Sequence, residues 1–192
     1  MKWRLCLTAG AFCLFLSGLS VMFNLYEGFM AGRASADVLS VMRSESAFFT
    51  PVSDRFTFEE MPVMEIDGLL YIGFLEIKSL GLDLPVLSEW NEEDAKRAPC
   101  RYTGSVYSDD LIIAGHNYAS HFGFLRLLGP GDAVTFTSVD GTVYDYEVML
   151  TETVPGDGAD EIQTGDWDLT LFTCTSGGED RRAVRCVHVQ EK

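Results

Sequence analysis

Residues 169–174 read Leu-Thr-Leu-Phe-Thr-Cys, and everything else in the chain is best read outward from them. Alternating Leu, Thr and Phe predict a β-strand. The strand closes on Cys174, just before the turn signal Ser176-Gly177-Gly178. A cysteine at the exit of a buried strand is held rigidly yet lies near the surface, which suits a nucleophile. A second strand is predicted from Arg181 onward, so a guanidinium can sit near the sulfur. Arg181 and Arg185 share one face of that strand and Arg182 takes the other, because strand side chains alternate. Alternation alone does not say which face meets Cys174. The plainer readings are a core cysteine and a surface ion pair for Arg181. The strand exit, the Gly-Gly turn and the nearby arginine favour chemistry.

A thiol is mostly protonated at neutral pH, and a nearby imidazole can take its proton. The chain has three histidines, so the choice is narrow. His116 follows the apolar run 111–114 between Gly115 and Asn117, a bend at a strand end. It ranks first. His121 stands at the start of a predicted short helix over 120–128, with Ser120 as N-cap. His188 lies near the C-terminus.

Around these residues the sequence punctuates into short strands. Apolar runs cover residues 70–77, 82–87, 101–105, 111–114, 133–138, 142–154, 169–174 and 182–189. Pro85 pushes the second towards a sheet edge. Asp140-Gly141 is a hairpin signal. Residues 89–97 are polar and predict a helical turn, and 155–166 form a loop rich in Gly and Asp. About eight short strands with little helix predict an all-β antiparallel barrel or sandwich.

The N-terminus is different in kind. Lys2 and Arg4 precede residues 5–25, which carry no charge and are long enough to span a bilayer as one helix. The basic tip and Glu27 beyond the apolar run predict a cytoplasmic N-terminus and an external body. The competing reading is a cleaved signal peptide with Ala34-Ser35-Ala36 as the cleavage site. The apolar run is longer than the usual ~7–15 residues of such a signal, so an uncleaved anchor is preferred. The chain therefore divides into a tip and transmembrane anchor (1–26), an extracellular stalk (27–67) and a catalytic domain (68–192). Residues 33–43 are expected to be helical within the stalk.

Net charge is -15, from 14 basic and 29 acidic residues, which excludes a nucleic-acid partner. Of the five cysteines, Cys6 and Cys13 sit in the apolar segment as small hydrophobes. Cys100, Cys174 and Cys186 remain, an odd number that leaves at least one thiol free or paired between chains. No Cys/His ligand spacing is present, so no metal or other cofactor is expected.

The stretch Thr170-Leu171-Phe172-Thr173-Cys174, followed by an arginine on the next strand, resembles the TLxTC…R signature of sortases. These are cysteine transpeptidases of Gram-positive cell surfaces. Ala114-Gly115-His116-Asn117 resembles the segment that carries their histidine, and the likeness runs from about Leu70 to Val189. The resemblance implies an eight-stranded β-barrel with short helices behind one transmembrane helix. It implies that Cys174 attacks an LPxTG-like sorting signal and that His116 serves as acid and then base. It implies that Arg181 steadies substrate and oxyanion, selected because Arg181-Arg182-Ala183-Val184-Arg185 matches the family's spacing. Thr173 and Asn117 are expected to contact substrate. The implied partners are proteins bearing sorting signals and an amine acceptor, either a cell-wall precursor or a pilin. Residues 27–67 lack the Asp-Pro-aromatic lid motif of some pilin-polymerising relatives. The 155–166 loop matches the position of the family's recognition loop. Its Asp157, Asp160, Glu161 and Asp166 raise calcium as a minor alternative. Cys100 and Cys186 are left as either a disulfide or two free thiols. Two other functions stay open: an exported cysteine hydrolase using the same dyad, and a non-catalytic anchored barrel that binds a partner.

Overall fold

The computed structural model describes residues 2–45, 61–156, 159–175 and 177–189. Among them the strands are β1 (Met64–Ile66), β2 (Leu69–Ile77), β3 (Leu82–Leu87), β4 (Cys100–Thr103), β5 (Leu111–Ala114), β6 (Ala133–Ser138), β7 (Val143–Pro155), β8 (Leu169–Cys174) and β9 (Asp180–His188). The helices are α1 (Lys2–Glu45) and the single turn α2 (Ala159–Ile162). Hydrogen-bonded neighbours run β2-β3-β4-β5-β8-β9-β7-β6, and β6 returns to β2 through Gly73–Glu76. That ring of eight strands is a closed barrel. The ninth, β1, pairs only with β2 and adds a flap at its edge.

The residues explain the ring. Inward-facing Leu75, Ile77, Leu84, Val86, Leu111, Ile113, Val134, Phe136, Val148, Leu169, Leu171 and Val184 fill one core cluster. β8 is buried on both faces, because outward-facing Phe172 packs into a second cluster with Ile112, Ala114, Val154, Ile162 and Ala183. α2 supplies Ile162 to that outer cluster. A strand covered on both sides wants an apolar run, and 169–172 departs from one only at Thr170, whose hydroxyl is satisfied by Arg185 Nη1. Pro85 is accommodated because β3 touches β4 at a single parallel bridge, Leu87↔Cys100. The Asp140-Gly141 hairpin forms as expected, with Thr142 N–H donating to Asp140 Oδ1 at 2.9 Å.

Two elements differ from expectation. Residues 120–128 do not form a helix. They make turns and one 3-10 turn at Leu125–Leu127. Ser120 does not act as an N-cap: its hydroxyl donates to the carbonyl of Gly28 on α1 at 2.7 Å. The second difference is the segment read as a stalk. α1 continues unbroken from the apolar stretch, and its C-terminal half lies against the barrel. Ala31, Ser35, Leu39 and Met42 are buried at helical spacing. Ser35 Oγ donates to the carbonyl of Arg97 at 2.9 Å, and Arg43 pairs with Asp83 on β3. Met42 packs among Met64, Ile66, Tyr71, Leu87 and Cys100. This docking face is built partly from small residues. A Cβ on Gly32 would lie 3.1 Å from Cβ of Ser120, so glycine lets the backbone come close. Small residues add little apolar signal, which is why the segment reads as weakly patterned. Residues 46–60 of the predicted stalk lie outside the described residues.

Candidate active site

Register brings the site together. In the antiparallel β8–β9 pair, Cys174 lies opposite Arg181, Thr173 opposite Arg182 and Thr170 opposite Arg185. Directly opposed residues share a face of the sheet. Arg181 therefore stands beside Cys174 on the outer face, where Phe172 also points. β5 runs parallel to β8 with Ala114 level with Phe172, and Gly115 N–H donates to the Phe172 carbonyl at 3.0 Å. His116, two residues past Ala114, leaves its strand at the level of Cys174.

The loop after β5 is folded back tightly. Phe122 N–H donates to the His116 carbonyl at 3.2 Å, and the Phe122 ring lies under Gly115. A Cβ on Gly115 would stand 2.7 Å from that ring, so only glycine fits there. The imidazole of His116 lies between two aromatics. Tyr118 is 5.1 Å away, centroid to centroid, and Trp90 is 6.1 Å away. Its Nε2 has no hydrogen-bond partner among the described residues.

Cys174, His116, Arg181, Thr173 and Asn117 all line one cleft of about 240 Å3. The five residues expected from sequence thus meet in one place. Cys174 is exposed and His116 half-buried. Arg181 lies over the face of Phe172, with Cζ 5.9 Å from the ring centroid, and Tyr102 meets the same ring edge-on at 5.3 Å. A cation over the ring face at this distance is attracted to it, which helps keep the guanidinium at the cleft. Trp90, Glu92 and Tyr102 also line the cleft and were not singled out from sequence. The available signal was an aromatic, Trp90, set among the acidic residues of the 89–97 loop.

The other candidates separate cleanly. Arg185 is 2% exposed and belongs to the scaffold. Its Nε donates to Glu152 Oε1 at 2.8 Å, and Nη1 to the Ile162 carbonyl at 2.6 Å and Thr170 Oγ1 at 3.2 Å. Its Nη2 donates to the Glu161 carbonyl at 2.8 Å. It ties α2 to the barrel wall. His188 lies edge-on to Tyr144 and Tyr146, away from the cleft. Cys100 and Cys186 are free and lie in different apolar clusters, and burial pushes both thiols up to about 12. Both are inert thiols at neutral pH. The calcium alternative concerned a loop in which Asp157 and the Asp160 side chain lie outside the described residues. Among the described residues no group of three or more His, Cys, Asp or Glu could hold a metal ion.

His121 is fully buried beneath Tyr118. Burial first, then the neighbouring His116, push its pKa down to about 4, against the opposing pull of the Arg97 carbonyl. A histidine depressed in the folded state is protonated more readily when unfolded. Stability is complete above the ordinary histidine pKa of about 6.5 and falls as pH drops towards 4. The shift corresponds to about 3 kcal/mol. Urea unfolding at pH 7 and at pH 4 should show the wild type losing about that much more than His121→Gln. Equal losses would show that His121 does not titrate across this window.

A family model described as the sortase domain matches residues 75–189, more than half of the chain. This chain belongs to the sortase family. Solved sortase structures share its fold. Sortase C of Streptococcus pneumoniae superposes with a TM-score of 0.59 at 18% identity, covering 86% of this chain and 90% of that one. Sortase C-1 of Actinomyces oris gives 0.57 at 24% identity, covering 67% and 77%. Sortase C of Clostridium perfringens gives 0.56 at 22% identity, covering 63% and 71%. No curated protein matches the sequence. In this sortase the eight-stranded barrel of the family is complete, and an apolar helix precedes it.

Proposed function

We propose that this sortase is a cysteine transpeptidase, anchored by α1, that acts on LPxTG-like sorting signals outside the membrane. The carrying observation is the single cleft that holds Cys174, His116 and Arg181. The Cys174 thiol passes its proton to His116, and Sγ attacks the carbonyl carbon of the threonine before the scissile bond. Negative charge develops on the carbonyl oxygen, and Arg181 beside the sulfur supplies charge-assisted donors to it. The C–N bond breaks as His116 gives its proton to the departing glycine nitrogen. The acyl group is left as a thioester. An acceptor amine then attacks, His116 takes its proton, and the C–S bond breaks to release the transferred product. Asn117 borders this cleft and contacts the peptide, and Thr173 borders it too, opposite Arg182 on the inward face of β8.

Anchoring is supported by the first half of α1. It is long and apolar enough to cross a membrane, and none of its apolar window is buried against the rest of the protein. The pneumococcal and Actinomyces neighbours are sortase C enzymes, and the pneumococcal structure is described in terms of pilin substrate specificity. A pilin or a wall precursor is the proposed acceptor class here.

The test is a panel of quenched LPxTG-like peptides with the full chain in detergent, with and without oligoglycine. Cleavage with an amine-linked product is the expected result. Cleavage giving only the free acid under every amine tried would make the protein a hydrolase.

A further inference from the structure

Cys174 borders two clefts. The first is the outer groove just described. The second, of about 100 Å3, opens at the end of the barrel and is lined by Arg126, Arg182, Thr173, Cys174, Asn117 and Phe122, among others. Strand alternation makes both. Arg181 opposes Cys174 and goes to the outer groove, while its neighbour Arg182 opposes Thr173 and goes to the barrel end.

The chemistry of the second cleft differs from its surroundings. The protein carries 29 acidic residues against 14 basic ones, yet two guanidiniums line this small space. Among the described residues neither Arg126 nor Arg182 has a carboxylate within ion-pair distance. Arg126 lies over the face of Phe124, with Cζ 6.0 Å from the ring centroid. Thr173 is 4% exposed, and its Oγ1 has no hydrogen-bond partner among the described residues. A buried hydroxyl without a partner is costly unless something fills its need. Two unpaired cations and an unpartnered hydroxyl beside a thioester describe a site for an anion.

We infer that the barrel-end cleft is the acceptor site, and that it takes an amine bearing a carboxylate or phosphate close to its nitrogen. This rests on the transpeptidase reading above. The sorting peptide, once acylated, occupies the outer groove. The acceptor enters from the opposite side, with its anion held by Arg126 and Arg182 and the Thr173 hydroxyl donating to it. Its nitrogen attacks the thioester carbon, a C–N bond forms and the C–S bond breaks. The proton lost from nitrogen passes by way of His116 to the sulfur, restoring the thiol. Separate entrances let donor and acceptor be chosen independently.

The experiment has two readouts on the full chain in detergent. The first is the ratio of aminolysis to hydrolysis for matched amines: O-phosphoethanolamine against ethanolamine, and glycylglycine against glycylglycinamide. The wild type should favour the anionic member of each pair roughly tenfold, the worth of one charge-assisted contact. Arg126→Gln/Arg182→Gln should bring that preference to about one. The comparison is made within each variant, so a general loss of activity cancels. A preference seen with only one of the two pairs assigns the anion as phosphate or carboxylate. The second readout needs no turnover. O-phosphoethanolamine should slow alkylation of Cys174 by iodoacetamide in the wild type, less so at high salt, and not in the double variant. Absence of both protection and preference overturns the acceptor site. Protection without any Cys174-dependent peptide cleavage keeps the anion site and rejects the transpeptidase reading instead.

Discussion

Cys174→Ala protein is expected to cleave sorting-signal peptides at least a thousandfold more slowly than wild type, roughly to background. The reason is covalent: without sulfur no thioester forms, and nothing else in the outer cleft can replace it. Cys100 and Cys186 cannot, since burial keeps them as thiols and neither lines the cleft. The companion variant is Arg181→Ala. Loss of one oxyanion donor costs about a hundredfold to a thousandfold in kcat, with KM moved far less. Arg181→Lys should recover little, because a lysine cannot present a planar fork of donors from beside the Phe172 ring. Quenched-peptide kinetics of these variants at saturating and limiting peptide separate the roles. Alkylation of Cys174 by iodoacetamide should survive Arg181→Ala, which shows that the sulfur remains accessible. Retained cleavage in Cys174→Ala would show that Cys174 is not the nucleophile, whereas an absence of cleavage in wild type and variant alike would make the barrel a binding module.

The second large effect concerns stability. Arg185→Met should lower the unfolding free energy by about 3–5 kcal/mol in urea titrations. Arg185 is buried, and its guanidinium satisfies Glu152, Thr170 and the last two carbonyls of α2. The apolar replacement fills the volume but leaves the Glu161 and Ile162 carbonyls without donors. α2 has a single turn, so it has almost no stability of its own. Its attachment rests on Arg185 and on Ile162 in the outer cluster. The loop from 155 to 166 should therefore become protease-sensitive in the variant before the barrel unfolds. A loss below about 1 kcal/mol would mean that water replaces the guanidinium at the α2 carbonyls and that the Arg185–Glu152 pair is dispensable.

The parts of this protein that were legible in sequence are those fixed by local rules. β8 was read with its true bounds because its run of six residues is bracketed by turn signals. Alternation left open which arginine meets Cys174, and only the resemblance to the sortase spacing singled out Arg181, which the β8–β9 register sets opposite the cysteine. His116 was legible because a strand ending in Gly-His-Asn must bend there. Residues brought in across the fold were not legible. Trp90 reaches the imidazole from the loop after β3, and no spacing in the sequence links position 90 to position 116. The docking face of α1 was missed for a related reason. Its contacts are small side chains and hydroxyl-to-carbonyl bonds, Ser120 to Gly28 and Ser35 to Arg97, which carry no apolar periodicity. Alternation correctly put Arg181 and Arg185 on one face, yet only the barrel shows them at separate places along it. One meets the cleft and the other is sealed under α2.

The union of α1 with the barrel also bears on how the proposed transpeptidase would meet its substrates. A flexible linker of 40 residues would let the domain wander about 35 Å from its root. Here Gly28, only three residues beyond the apolar stretch, already accepts a hydrogen bond from the loop that carries His116. With α1 in a bilayer, helical rise puts that contact within about 5 Å of the end of the apolar stretch. The barrel is then less like a buoy on a chain than a fixture bolted to the deck. Its cleft keeps one altitude and one heading, and encounters reduce to lateral diffusion in a plane. Partners confined to that same plane gain effective concentration, and those released into bulk solvent lose it.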